Sequence, residues 1–192
     1  MKLVFSSTSI LLLILCLFSN ACQKIPSPIN EEELITTIIL SVQKHGSNTI
    51  EHYTFEDIDG IGGQAATIDS ILLSKNSMYD ATITLLNKTI YPIDTISNEV
   101  LEEGDVHQFF YASTPISMLK NFEYQTPNDI GGNPIGLNFS FETDDANTIG
   151  SLKITLRHQP NKLGNGVSSG DITNANGETD VEVSFPVRLT NV

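Results

Sequence analysis

Tryptophan is absent from this sequence of 192 residues, and cysteine occurs only at Cys16 and Cys22. Beyond residue 22 the chain has no disulfide, no thiolate metal site and no cysteine nucleophile, so packing or bound ions must hold it together. Basic residues are scarce: 10 lysines and arginines stand against 23 aspartates and glutamates, a formal charge of -13. Such a surface repels phosphate backbones, which argues against nucleic acid as a partner. No Gly-x-Ser-x-Gly elbow, no His-Glu-x-x-His pair and no Walker loop occurs, and the reading is of a protein that is not an enzyme. The length and the 40% of hydrophobic residues suit one compact domain and exclude both a coiled coil and a disordered acidic tail.

The N-terminus carries an address. Lys2, the apolar run over residues 10–18 and the small or polar Ser19, Asn20 and Ala21 read as a secretion signal over residues 1–21. The run is shorter than the roughly 20 apolar residues of a spanning helix. Ala21-Cys22 resembles the lipobox of bacterial lipoproteins, in which the cysteine is acylated and becomes the first mature residue. Ser19 stands where the usual leucine would be, with Leu17 and Phe18 just upstream; an ordinary cleaved signal with an incidental cysteine is the alternative. Lipid on Cys22 implies a protein anchored without spanning. Residues 22–32, with Pro26 and Pro28, read as the lipidated cysteine and a flexible tether, and residues 33–192 as the folded domain. Gln23-Lys24 resembles the start of a surface-export signal whose acids are displaced here to Glu31, Glu32 and Glu33, which points to the outer membrane with exposure at the cell surface.

From residue 33 onward the pattern is alternation of apolar and polar residues over short runs, the period of half-buried strands. Residues 34–42 are apolar on both faces and read as a central strand, with further strands over 50–55 and 68–73. Tyr79, Ala81, Ile83 and Leu85 form one core-facing set, and Leu137, Phe139 and Phe141 another. Leu152, Ile154 and Leu156 form a third, and Val181, Val183, Phe185, Val187 and Leu189 a fourth, with Asp180 and Glu182 on the opposite face. Pro186 argues for an edge or a bulge in that last strand. One helix is expected, over residues 97–104, capped by Ser97. Eight or nine strands without alternating helices predict an all-β, antiparallel, immunoglobulin-like β-sandwich with one short helix. A closed lipocalin-like barrel is the alternative.

Two groups of residues are candidate metal ligands. Asp57 and Asp59 lie two apart before a glycine loop, an oxygen-rich turn able to fold around calcium, or else a solvated acidic turn. A second polar loop over residues 171–180 reads as a plain turn. Of the four histidines, His107 shares the parity of Phe109 and Tyr111, and His158 that of Leu152, Ile154 and Leu156, so both face the core near strand ends. Adjoining ends would let the two imidazoles share a transition metal or a haem iron; two separate, hydrogen-bonded core histidines are the alternative. His45 and His52 flank a turn and read as solvated.

Residues 30–37 (NEEELITT), 57–60 (DIDG), 107–111 (HQFFY), 156–162 (LRHQPNK) and 177–183 (GETDVEV) together resemble a group of small Bacteroidota lipoproteins of unknown function. Some members are described as periplasmic-binding-domain proteins, a far longer fold of strand-helix-strand units that this sequence does not offer. The resemblance implies outer-membrane association and brings no catalytic residue. The expected function is a lipid-anchored surface binding module, accessory to metal or haem uptake through an outer-membrane receptor or another surface protein. A structural or adhesive immunoglobulin-like module without a small ligand is the alternative.

Overall fold

A computed structural model describes residues 34–60, 62–146 and 148–191; the signal, Cys22 and the tether lie outside the described residues. All described residues fall in one compact unit, residues 32–192. Among the described residues, ten strands and one α-helix follow in the order β1 (Thr37–Lys44), β2 (Ile50–Glu56), β3 (Thr67–Ile68), β4 (Ile71–Ser74), β5 (Met78–Leu86), α1 (Ile96–Glu102), β6 (His107–Thr114), β7 (Leu119–Gln125), β8 (Asn138–Thr143), β9 (Ile149–His158) and β10 (Glu178–Thr190). They form an all-β sandwich of two sheets, of order β3-β2-β1-β5-β8-β7 and β4-β10-β9-β6. β1 lies inside its sheet, paired with β2 and β5; Ile38, Leu40 and Val42 on one face are buried, while Ile39 and Ser41 on the other are partly exposed, so the strand is central in the sheet but not apolar on both faces.

The alternating sets meet between the sheets. Ile38, Leu40, Ile83, Leu85, Phe139 and Phe141 from one sheet pack against Phe109, Leu152, Ile154, Leu156 and Phe185 from the other, all essentially without solvent exposure. Tyr111 stacks on Phe139 with ring centroids 3.7 Å apart.

Three further details depart from the sequence expectation. The run over 68–73 is divided between the sheets, because Asp69 accepts the Thr54 amide at 2.8 Å and turns the chain from β3 across to β4. β4 then pairs parallel to β10, so the second sheet is mixed. The helix begins at Ile96 after Thr95, and Ser97 does not cap it; its hydroxyl accepts the Leu85 amide at 2.5 Å and fastens α1 to β5. Pro186 lies one residue before β4 joins, where that flank of β10 is still open and a missing amide breaks no ladder.

Candidate metal centre

β6 and β9 are antiparallel neighbours, and their register sets His107 directly opposite His158 at the start of one strand and the end of the other. Strand parity aims both rings inward, and both are buried, with side-chain exposures of 0% and 6%. The rings meet edge to face, with centroids 4.7 Å apart. His107 Nδ1 lies 3.1 Å from the Glu103 carbonyl oxygen, just past the end of α1. A carbonyl can only accept, so Nδ1 of a neutral His107 carries the proton and the ring's lone pair is on Nε2, which faces His158. That lone pair stands 3.0 Å from His158 Nδ1.

Asp180 is the third member. The β9–β10 ladder shifts register between Thr179 and Val181, leaving Asp180 as an extra, bulged residue opposite the β9 end. The bulge turns its carboxylate off the solvent face into the space beside the imidazoles. Its Oδ2 stands 3.8 Å from His107 Nε2 and 3.9 Å from His158 Nδ1, with the side chain 8% exposed. A triangle with those sides has a circumradius of about 2.1 Å, the length of a zinc–nitrogen or zinc–oxygen bond. The three ligand atoms lie within 4.8 Å of one another, and no other group of three potential ligands occurs among the described residues.

Gly177 makes the approach possible. Its φ is +71°, and a Cβ there would sit 2.2 Å from the His158 carbonyl oxygen, so no larger residue lets the turn into β10 pass this close to the end of β9. Asn176 just before it also adopts a positive φ of 52°. Upstream, Asp171 accepts the Thr173 amide at 2.9 Å and caps a short 3-10 turn, Ile172–Asn174, so the polar loop is a turn, as expected.

Asp57 and Asp59 are not brought to this centre. Asp57 accepts the Gly60 amide and Asp59 the Gln64 amide, each at 2.9 Å, so both carboxylates close their own exposed turn and belong to no described group of three ligands. His45 pairs with Asp80 at 2.9 Å and His52 with Ser41 at 2.8 Å, both at the surface.

A buried ion pair stands behind the centre. Lys162, in the turn after β9, directs its ammonium to Asp129 at 3.1 Å, to the Pro134 carbonyl at 3.1 Å and to the Gly104 carbonyl. Burial alone would raise the Asp129 pKa, but the Asn133 amide and the Lys162 ammonium outweigh it and hold the carboxyl below its usual range. Three connections, before β6, before β8 and after β9, are thus tied at one point. Comparisons with protein-family models, curated proteins and solved structures return no match to this chain.

Proposed function

We propose that this protein is a lipid-anchored outer-membrane module, not an enzyme, that binds a transition metal ion through His107, His158 and Asp180. The observation that carries the reading is the convergence of the His107 Nε2, the His158 Nδ1 and an Asp180 carboxylate oxygen around a point about one metal–ligand bond from each. Two imidazoles and one carboxylate suit zinc and its neighbours better than calcium, which takes six to eight oxygens. The Glu103 carbonyl is the outer partner that fixes the tautomer of a ligating histidine. Haem is disfavoured, since ring nitrogens 3.0 Å apart leave no space for a porphyrin between them. Anchoring through Cys22 holds the site at the membrane, where a receptor or another surface protein would exchange the ion.

Equilibrium dialysis against zinc, followed by elemental analysis, tests the site. One zinc per chain is expected, with none retained by His107→Ala or His158→Ala. Zinc retained equally by a folded double variant would overturn it.

A further inference from the structure

Every connection near the metal centre emerges at one end of the sandwich. The start of β1 pairs with the end of β2 and the end of β5, and the start of β8 continues that edge, since Ile83 donates to the Leu137 carbonyl at 2.9 Å. The loop over residues 87–94 leaves β5 here, closed by mutual Asn87–Asp94 backbone bonds of 3.0 and 3.1 Å. The loop over 128–134 reaches β8 here, and the turn after β9 is tied to it through Lys162 and Asp129.

These loops expose apolar tips. Tyr91 and Ile130 are each 97% exposed and Leu163 86%, with Ile90 and Ile93 half exposed beside Tyr91. Leu34, also exposed, enters β1 at the same end. Eleven residues lie between it and Cys22, a span of at most about 40 Å. The domain can therefore reach an anchoring membrane with this end first.

We infer that the end bearing Tyr91, Ile130 and Leu163 docks into the interfacial layer of the bilayer that holds the lipid anchor; the inference rests on the anchored reading. A tyrosine flanked by isoleucines on a projecting loop is the composition that settles at headgroup depth. The acidic surface opposes flat adsorption, so the contact depends on the tether, which converts a weak encounter into an intramolecular one. The metal centre then lies at the membrane-facing end of the sandwich.

The chain has no tryptophan, so Tyr91→Trp or Ile130→Trp introduces a single reporter. The mature lipidated protein, purified from membranes, is placed in phosphatidylcholine vesicles with brominated acyl chains. The expected result is emission shifted to shorter wavelength and losing most of its intensity to the bromines. Ile116→Trp, 87% exposed at the opposite end, serves as control and keeps the emission of solvated indole. Solvated emission from all three variants in protein that floats with the vesicles overturns the docking and leaves the anchor standing. A short-wavelength emission without bromine quenching means that protein covers the loops, which also overturns it. Equal quenching at both ends overturns it as well. Protein that fails to float overturns the anchored reading and this inference together.

Discussion

Asp180 owes its position beside the histidines to one extra residue in β10, and the two kinds of ligand make different demands on the fold. In the metal-free protein the histidine pair is held by its own 3.0 Å contact and by Glu103, and the Asp180 carboxylate stands 3.8 and 3.9 Å from the two rings. Asp180→Asn should abolish the stabilisation by zinc, which paired urea titrations with and without zinc will read. Lys162 belongs to a structural ion pair instead. Its side chain and that of Asp129 are 5% and 2% exposed, so Lys162→Met leaves an uncompensated carboxylate and should destabilise the domain by about 3–5 kcal/mol. Replacing Asp129 by Leu in the same chain should restore much of the loss, and a single variant as stable as the parent would remove the pair from the account.

At the level of elements, β10 joins core to site. Phe185 is fully buried midway along it, and Phe185→Asp should abolish cooperative unfolding, because an unpaired charge there costs several kcal/mol. Gly177→Ala, at the turn into the strand, should destabilise by about 1–3 kcal/mol and weaken zinc binding, since the added methyl drives β10 away from His158. Period-two alternation made the strands, their inward faces and both histidines legible in the sequence, because parity is enough to place a side chain on one side of a sheet. The same parity hid Asp180, which reads as an outward residue beside Glu182 until the bulge shifts the register by one. No residue type announces such a bulge, and only Gly177, three positions upstream, hints that two backbones pass unusually close. The split between β3 and β4 was hidden for a similar reason, as Asp69 turns the chain within an apolar run. Ser97 was legible as a polar residue at a helix start, but its partner lay in β5, and only tertiary structure decides that.

For the whole molecule, acid should be the first stress to loosen the metal-side end. The Asp129 carboxyl has its pKa depressed in the folded state, so its contribution is fully present above the ordinary carboxylate range and is lost as the pH falls through the folded value. The urea midpoint should therefore fall between about pH 5 and pH 3, and by less in the Asp129→Leu/Lys162→Met double variant. Cys22→Ala should move the protein from the membrane to the soluble fraction, and retention would refute the anchor. The most direct measurement is a thermal melt of the protein in chelator and again with zinc at a hundred times its dissociation constant. Binding to the native state alone then contributes about 2.7 kcal/mol, a rise of roughly 5–10 °C in Tm for a domain of this size. That rise in the parent, and its absence in His107→Ala, is the predicted result. A Tm unmoved by zinc, or moved equally in the variant, would contradict the assignment of His107, His158 and Asp180 as a metal centre.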